Sequence, residues 1–327
     1  MKIGIIGLGL IGTQRFEVLK KIDDVTKVII FDPNKDQLQS EQDKIVIVKD
    51  INELIKHKPT KVILSTPHNV FLQYIKTLID EGIEVLVEKP MARRLDEVQI
   101  IEQNKQSKKL IKVGYNYRFM PAIDYLIRKA KDGELGEIVA IEMYLGHGGA
   151  PQDKNSWKLD LDLCGGGVLL DPGVHLLDLL LNGLNFLGKP KLNGVITWKG
   201  FWDTGIEEHG VVTGEIGKSL FTLTTSILNW ETKFNFKIIG VNGHGEVSGR
   251  GRSDGPQTIK LTKRWSWLGD GTNNKDENLS FLNMNKDNSL EFETIAWLNG
   301  EDNVCSFNEA KAILEFHQEI INMKSSN

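Results

Sequence analysis

A glycine-rich loop lies between a predicted strand and a predicted helix at the start of the chain. The short β-branched run Lys2–Ile6 leads into Gly7-Leu8-Gly9-Leu10-Ile11-Gly12, and a helix is predicted over Thr13–Ile22. In a G-x-G-x-x-G loop the first glycine permits a tight turn, the second lets backbone approach a pyrophosphate, and the third lets helix and strand pack closely. The helix N-terminus offers N–H groups to phosphates. This stretch therefore predicts a dinucleotide-binding unit.

An acidic residue ends the second predicted strand. The run from Thr26 to Asp32 is typical of a strand, and Asp32 lies 20 residues after Gly12. A carboxylate at this point accepts hydrogen bonds from the adenosine ribose hydroxyls and repels a 2′-phosphate. We therefore predict that the cofactor is NAD rather than NADP.

Predicted strands and helices alternate as far as residue 115. This order implies an α/β domain with a doubly wound parallel sheet of the Rossmann type, which we expect to span residues 1–118. The predicted strands are Lys44–Val48, Lys61–Ser65, Glu84–Glu88 and Leu110–Tyr115, and the predicted helices are Asp50–His57, Asn69–Asp80 and Leu95–Ser107.

Several polar residues follow these strands directly. Ligands of a doubly wound sheet lie beyond the carboxyl ends of the strands, so residues at those ends are expected near the cofactor. Besides the glycine loop and Asp32, the residues at these ends are Thr66, Pro67, His68, Glu88, Lys89 and Asn116–Arg118. Lys89 also precedes Pro90, and a proline restricts the residue before it. It is therefore a candidate catalytic residue, although a lysine after a strand is also typical of a solvated surface charge.

Residues 119–327 are expected to form a second domain. A helix is predicted over Pro121–Lys131, and several short strands then follow one another with Gly, Asn and Asp turns. This order predicts an α/β domain with a largely antiparallel open sheet, because long crossover helices are missing between the strands. We expect the domain to bind substrate and to join subunits through its open face, as a homodimer or homotetramer.

The stretch GGGVLLDPGVHLLDLL, residues 165–180, predicts a buried helix after a glycine turn. Asp171 has the side chain of a helix N-cap, and Pro172 fits the first helical position. Such a helix places Asp171, His175 and Asp178 on one face. An acid and an imidazole four residues apart suit proton transfer in a cleft. The alternative is that Asp171 only caps the helix and that His175 is a core histidine.

Composition excludes several classes of function. The chain has 327 residues, of which 40% are apolar and 26% charged, and its net charge is −4. These values are ordinary for a globular protein and favour neither nucleic acid nor a membrane surface as a partner. No apolar run reaches the ~20 residues of a membrane helix. Only two cysteines are present, without metal-ligand spacing, which favours a reducing compartment such as the cytoplasm.

Four motifs together resemble the Gfo/Idh/MocA family of oxidoreductases. They are GLGLIG at 7–12, EKP at 88–90, GYNYRFMP at 114–121 and GGGVLLDPGVH at 165–175. The resemblance covers essentially the whole chain and implies a Rossmann domain followed by an α/β domain whose open sheet often forms an oligomer interface. It also implies that Lys89 matches the family's catalytic lysine and that Asp171 and His175 match its D-x-x-x-H pair.

One motif departs from the family pattern. The family loop often reads T-P-N-x-x-H, whereas this chain has Thr66-Pro67-His68-Asn69-Val70-Phe71. The contacts on the nicotinamide side are therefore expected to differ.

The residues and the resemblance together predict an NAD-dependent dehydrogenase that acts on a secondary hydroxyl or keto group of a sugar or nucleotide sugar. His175 is the expected base, Lys89 stabilises the developing alkoxide, and Asp171 orients substrate or imidazole. Further expected substrate contacts are Tyr117, Arg118, Trp157 and Lys158. Arg118 is equally consistent with a structural interdomain pair, and Trp157 with a core or interface residue.

Two other functions fit the same motifs. One is an NAD-binding sugar sensor without turnover, and the other is an NAD-dependent glycosidase that regenerates its cofactor. The segment 241–259, VNGHGEVSGRGRSDGPQTI, resembles members associated with surface-polysaccharide sugar synthesis. This likeness favours a sugar or nucleotide sugar as substrate, and an anionic derivative over a neutral one.

Overall fold

The computed structural model describes residues 1–34, 44–149, 156–202, 204–263 and 286–325, and the backbone of 277–280. Two units are distinguished. The first unit contains Met1–Tyr115, Asp162–Gly165 and Leu290–Leu314, and the second contains Asn116–Leu161, Gly166–Ser289 and Glu315–Asn327. Two short segments that lie far along the sequence therefore belong to the N-terminal unit.

The first unit is built on a six-stranded sheet in which every pair of neighbours is parallel. Its strand order is β3-β2-β1-β4-β5-β6, so the order reverses next to β1, where the glycine loop begins. The predicted doubly wound sheet is confirmed. The strands are β1 (Lys2–Ile6), β2 (Lys27–Phe31), β3 (Ile45–Ile47), β4 (Lys61–Leu64), β5 (Glu84–Glu88) and β6 (Ile111–Gly114).

In the described part of this unit, five α-helices lie between the strands: α1 (Leu10–Lys20), α2 (Ile51–Lys56), α3 (Phe71–Asp80), α4 (Leu95–Glu102) and α5 (Ser107–Leu110). Asp50 caps α2 by accepting the Glu53 N–H at 2.8 Å. The helix predicted over Leu95–Ser107 begins at Leu95 as expected, but its predicted end is wrong, because the chain turns after Glu102. The Asn104 carboxamide oxygen accepts the Gln106 N–H at 2.8 Å, a local side-chain bond that competes with the helix.

The second unit carries an eight-stranded sheet in which β7 and β10 are parallel and all other neighbours are antiparallel. The predicted largely antiparallel sheet is confirmed. Its order is β14-β13-β12-β11-β7-β10-β9-β8. The strands are β7 (Ile138–Gly146), β8 (Pro190–Trp198), β9 (His209–Ile216), β10 (Ser219–Ser226), β11 (Lys233–Gly240), β12 (Gly243–Ser248), β13 (Thr258–Lys263) and β14 (Glu277–Ser280).

Helices α6 (Pro121–Lys131) and α8 (Val174–Asp178) contact this sheet, in which Ile141, Met143 and Leu145 of β7 are buried. The other described α-helices are α7 (Leu161–Cys164), α9 (Ser289–Asn299) and α10 (Phe307–Ser325), and most of α7 and α9 and the first part of α10 belong to the first unit. A π-helical turn, Leu179–Gly183, continues α8. Within the described parts of the chain, no helix has both the length and the apolar character needed to cross a membrane.

A buried histidine on α10 makes the stability of the second unit sensitive to acid. Burial lowers the pKa of His317 to about 4, and the positive charge of Lys324 acts in the same direction. The pKa of a histidine in an unfolded chain is about 6.5. As the pH falls, the unfolded chain therefore binds a proton at His317 before the folded protein does. This contribution to stability is complete above about pH 6.5 and is lost as the pH falls from there towards 4.

We therefore expect the protein to lose about 2 kcal/mol of stability through His317 between pH 7.5 and pH 5. The variant His317→Leu should show a smaller loss over this range, measured by urea unfolding at both pH values. His57→Gln, at the end of α2, is the control and should keep the wild-type pH dependence. An unchanged pH dependence in His317→Leu would contradict the assignment.

Candidate active site

The glycine loop of the first unit has the geometry of a phosphate cradle. Gly7 adopts φ +91°, and a Cβ there would lie 2.7 Å from the Ser65 carbonyl oxygen. A Cβ on Gly12 would lie 2.0 Å from the Gly7 carbonyl oxygen, so the helix and the strand are in close contact. No atom lies within 4 Å of a Cβ built on Gly9. The loop therefore needs Gly7 and Gly12 for its own packing and leaves open space at Gly9.

Asp32 lies at the end of β2 beside this loop. Its Oδ2 accepts the N–H of Leu8 at 2.6 Å, and its Oδ1 accepts the N–H of Asn34 at 2.9 Å. Each carboxylate oxygen has a second lone pair, so both can still accept a hydroxyl group. The open space at Gly9 and the fixed carboxylate fit the pyrophosphate and the ribose of a dinucleotide. Both residues lie where the sequence predicted.

His68, at the carboxyl end of β4, is buried and has a contact that the sequence did not predict. Its Nδ1 lies 3.1 Å from the Cys164 carbonyl oxygen. Because a carbonyl oxygen only accepts, Nδ1 carries the hydrogen. Arg93 donates to the carbonyl oxygen of Asp162 in the same segment. His68, where the family loop often has Asn, thus makes a contact that holds Asp162–Gly165 in place within the first unit. Thr66 and Pro67 stay predicted cofactor contacts.

Glu88 belongs to a buried ionic cluster. Arg15 of α1 is fully buried, and its Nε donates to Glu88 at 2.6 Å. Its Nη2 donates to Glu293 at 2.5 Å and its Nη1 to the Thr294 hydroxyl at 2.9 Å. A Cβ at Gly114 would lie 2.7 Å from Arg15 Nη2, so only glycine leaves room for the guanidinium. The cluster holds the residue that precedes Lys89, which is itself half-buried at the end of β5.

The predicted start of the helix near Asp171 is wrong. Helix α8 begins at Val174, and Gly173, which has no side chain, occupies the N-cap position. Residues 167–173 form a hydrogen-bonded turn, in which the Asp171 N–H donates to the Gly167 carbonyl at 2.8 Å and Gly173 donates to Val168 at 2.8 Å. Asp171 is therefore in the turn before the helix, and its carboxylate is not used as a cap.

Asp171 instead forms an ion pair with Lys158. The Lys158 Nζ lies 3.2 Å from Asp171 Oδ2, and the lysine side chain is 57% exposed whereas the aspartate side chain is 18% exposed. Lys158 lies in a short 3-10 turn with Trp157, whose ring centroid is 5.8 Å from the Lys158 Nζ. The structure thus brings together three of the predicted substrate-side residues.

His175 lies on α8 and stacks flat on Tyr117. The two ring centroids are 4.0 Å apart and the planes differ by 7°. Both side chains are buried. The stack fixes the plane of the imidazole, which is a requirement for directional proton transfer.

Asp178 does not join Asp171 and His175 in a shared polar face. It is fully buried and forms a two-point ion pair with Arg118, in which Arg118 Nε lies 3.0 Å from Asp178 Oδ2. Both residues belong to the second unit, so this pair is not the interdomain pair considered as an alternative for Arg118.

Sequence reasoning missed three charged residues: Arg15 and Glu293 of the first unit and Arg250 of the second. Arg250 Nη1 donates to the Tyr117 hydroxyl at 2.7 Å. A partial signal existed for Arg15, because an arginine follows the glycine loop inside a helix that packs on a buried sheet. No local signal pairs Arg250 with Tyr117, since the two lie 133 residues apart. Among the described residues, no group of three His, Cys, Asp or Glu side chains could hold a metal ion.

Comparison with known proteins gives matches over both units. A family model described as an oxidoreductase family with an NAD-binding Rossmann fold matches residues 1–117, and the C-terminal domain model of the GFO/IDH/MocA family matches residues 125–246. Myo-inositol 2-dehydrogenase of Thermotoga maritima is 29% identical over 184 residues, which are 55% of this chain and 53% of that protein. Glucose-6-phosphate 3-dehydrogenase of Bacillus subtilis is 25% identical over 230 residues, 67% of this chain and 65% of that protein. The chain thus matches less than two thirds of the length of these relatives.

Solved structures share the whole fold. A levoglucosan dehydrogenase in complex with NADH superposes with a TM-score of 0.83 at 15% identity and covers 100% of this chain and 97% of its own. UDP-N-acetylglucosamine 3-dehydrogenase of Acidithiobacillus ferrooxidans gives a TM-score of 0.75 at 19% identity, over 98% of this chain and 96% of its own. At these identities the likeness concerns the fold alone. With both family models matched and the fold shared, the chain belongs to the Gfo/Idh/MocA oxidoreductase family and carries an NAD-binding Rossmann domain at its N-terminus.

Proposed function

We propose that the protein is an NAD-dependent dehydrogenase that acts on a secondary hydroxyl or keto group of a sugar derivative. The observation that carries this proposal is the flat stack of His175 on Tyr117, which holds a titratable imidazole in one plane within a buried environment. The ion pair of Asp171 and Lys158 in the same unit adds polar groups suited to sugar hydroxyls. The named activities of the Thermotoga maritima and Bacillus subtilis relatives support the same reaction class.

The proposed chemistry divides between a cofactor and the side chains of this chain. When bound, NAD supplies the nicotinamide that takes up the hydride. The residues that would hold it are Gly7–Gly12, Asp32, Thr66–His68 and Glu88. His175 takes the hydroxyl proton during oxidation and returns it during reduction, because an imidazole titrates close to neutral pH. Lys89 donates a hydrogen bond to the oxygen that gains negative charge.

The proposed substrate is an anionic sugar derivative, such as a sugar phosphate, a sugar acid or a nucleotide sugar. Lys158 supports this choice because its side chain is more than half exposed and carries a positive charge, which pairs with Asp171. Arg118, by contrast, is committed to Asp178 through two hydrogen bonds, so we assign it an indirect role. The relative in Bacillus subtilis is named for a phosphorylated sugar. The likeness of segment 241–259 to proteins of surface-polysaccharide synthesis favours the nucleotide sugar within this group.

A substrate panel tests the proposal. Free sugars, inositols, sugar phosphates, sugar acids and nucleotide sugars are incubated with NAD, and their oxidised forms with NADH, while NADH absorbance is followed. We expect turnover of an anionic sugar to exceed that of free glucose or inositol, and Lys158→Gln to raise the KM of the anionic substrate only. Efficient turnover of a neutral cyclitol without any response to anionic sugars would overturn the substrate class and leave the dehydrogenase assignment standing.

The same panel separates the two alternative functions. Net formation of NADH supports a dehydrogenase. Release of a sugar product without net NADH supports a glycosidase that regenerates its cofactor, and sugar binding without any product supports a sensor. Either of the last two results would overturn the proposed activity.

The preference for NAD over NADP is expected to depend on Asp32. We expect Asp32→Ala to reduce the preference by about tenfold, since it removes a negative charge near the position of a 2′-phosphate. Binding constants for NADH and NADPH, measured by fluorescence, give the ratio for each variant. Asp24→Ala, in the loop after α1, is the control. Equal binding of NADPH and NADH by the unchanged protein would contradict the prediction.

We also propose that the protein forms a homo-oligomer through the outer face of its eight-stranded sheet. Ile196 and Trp198 of β8 and Leu220 of β10 point outward and are 71%, 49% and 59% exposed. Apolar groups grouped on one sheet face are typical of a subunit interface. Light scattering after gel filtration should report a dimer or a tetramer. A cytoplasmic location stays a prediction, which is supported by Cys164 and Cys305, both buried and neither in a disulfide.

A further inference from the structure

A tight loop between β12 and β13 presents two arginines. Its sequence is G-R-G-R-S-D-G, residues 249–255, and Gly249, Gly251 and Gly255 adopt φ values of +73°, +78° and +85°. A Cβ on Gly249 would lie 2.3 Å from the Pro256 carbonyl oxygen. These left-handed positions favour glycine, and they let the chain turn back on itself. The loop lies within segment 241–259, which resembles one branch of the family.

Arg250 points from this loop into the second unit and is nearly buried. Its Nε donates to Asp254 Oδ2 at 2.6 Å, and its Nη1 donates to the Tyr117 hydroxyl at 2.7 Å. A buried guanidinium needs such partners to offset the loss of water. Because Asp254 and Tyr117 bind different nitrogens, the guanidinium lies between the carboxylate and the phenol.

The Tyr117 ring is held on two sides. His175 stacks on one face, and Phe234 meets the ring edge-on with centroids 5.6 Å apart and planes at 88°. Burial raises the pKa of the Tyr117 hydroxyl, and the charge of Arg250 offsets only part of that rise. The phenol is therefore neutral near pH 7, and Arg250 donates to a neutral oxygen.

We propose that Arg250 is a positioning residue for His175, which acts through the Tyr117 hydroxyl to hold the stacked ring and to favour the neutral imidazole. The inference rests on the proposed function, in which His175 moves the proton. A tyrosine face attracts a cation and so favours the imidazolium. A guanidinium that donates to the phenol oxygen withdraws electron density from the ring. Its Cζ lies 6.0 Å from the Tyr117 ring centroid, so its positive charge disfavours a second positive charge on the imidazole. A neutral imidazole is the form that accepts a proton.

The other charged groups near the stack are mutually compensated. The strand β7 faces the helices with the uncharged residues Ile141, Met143 and Leu145. Among the described residues, the other charges on the turns, the helices and the loop around His175 and Tyr117 include the ion pairs Arg118–Asp178, Lys158–Asp171, Arg252–Asp287 and Glu207–Lys324. Arg250 itself pairs with Asp254, and of the cations in these pairs it is the one that donates to the Tyr117 hydroxyl.

Histidine titration by NMR tests the proposal without any substrate. The protein is labelled with ¹⁵N-histidine, and the His175 signal is identified by its loss in His175→Gln. We expect Arg250→Gln to move the titration midpoint of His175 upward by about half to one pH unit, because a positive charge is removed. Tyr117→Phe, which removes only the accepting oxygen, should move it in the same direction, and Arg250→Lys should restore part of the wild-type value.

Arg252→Gln is the matched control, since Arg252 lies in the same loop but pairs with Asp287 at 2.7 Å. Its His175 midpoint should equal that of the wild type. Unchanged midpoints in Arg250→Gln and Tyr117→Phe would overturn the proposal. If Arg250→Gln does not fold, Tyr117→Phe alone decides, because that change keeps the Arg250–Asp254 pair and the ring.

Turnover adds a second readout that separates this inference from the proposed function. With a substrate from the panel, Arg250→Gln should shift the pH profile of kcat/KM for oxidation upward by the same amount and lower kcat more than it raises KM. Absence of turnover in the wild type would count against the proposed function, whereas the NMR titration would still decide the role of Arg250. A shifted NMR midpoint with an unshifted kinetic profile would overturn the link between Arg250 and proton transfer.

Discussion

Replacing Lys89 or His175 by alanine is expected to lower turnover by about 100-fold or more while NADH binding is retained. This is the usual scale for the loss of a group that transfers a proton in the transition state. His175→Ala removes the imidazole that stacks on Tyr117, and Lys89→Ala removes the ammonium at the end of β5. Neither change touches the glycine loop or Asp32.

Steady-state rates with the best substrate of the panel and NADH binding by fluorescence measure the two effects separately. Lys76→Ala, on the exposed side of α3, is the control and should keep the wild-type rate. Wild-type turnover in either variant would remove that residue from the mechanism. Loss of NADH binding in Lys89→Ala would instead assign the lysine to cofactor binding alone.

Removing the Arg15 guanidinium is expected to destabilise the first unit by about 3–5 kcal/mol, because two carboxylates then stay inside the fold without a counter-charge. Arg15 is fully buried, and both Glu88 and Glu293 raise its pKa although burial acts in the opposite direction. It is therefore charged at all pH values at which the protein is folded. The variant is Arg15→Met, which keeps most of the side-chain volume.

Urea unfolding of Arg15→Met measures the loss. Arg94→Met is the matched control, since Arg94 forms an exposed pair with Asp96 in which the side chains are 55% and 62% exposed. Such surface pairs contribute about 0–1 kcal/mol. Adding Glu293→Gln to Arg15→Met should recover part of the stability by removing one unpaired charge. A loss no larger than that of Arg94→Met would show that the cluster does not stabilise the fold.

Much of the first unit could be predicted from the sequence because its signals are local. The glycine loop, the β-branched runs and the helix cap at Asp50 each depend on residues within a few positions of one another. The alternation of strands and helices predicts where each strand ends. Because the carboxyl ends of parallel strands meet at one edge of the sheet, it also predicts that Asp32 and Lys89 lie at the same edge. The helix from Leu95 ends at Glu102, earlier than predicted, and the Asn104 side chain accepts a hydrogen bond in the turn that follows.

In the second unit, local sequence signals did not predict the role of Asp171. The sequence placed Asp171 and His175 in one helix, since aspartate followed by proline is typical of a helix start. The turn over residues 167–173 uses the backbone groups before the helix, and Asp171 became the partner of Lys158. Whether the Asp171 carboxylate caps the helix or forms an ion pair depended on the position of the segment that carries Lys158.

By itself, the sequence determined the nucleotide-binding topology and the acidic end of β2, because each depends on residue type and short spacing. The residues for proton transfer stay a prediction. Only the tertiary structure decided their partners. Arg15 meets Glu293 at a separation of 278 residues, and Arg250 meets Tyr117 at a separation of 133. A buried charge needs a partner within hydrogen-bond distance. Which residue becomes that partner depends on how the sheets and helices pack, because packing brings together residues that are far apart in the sequence.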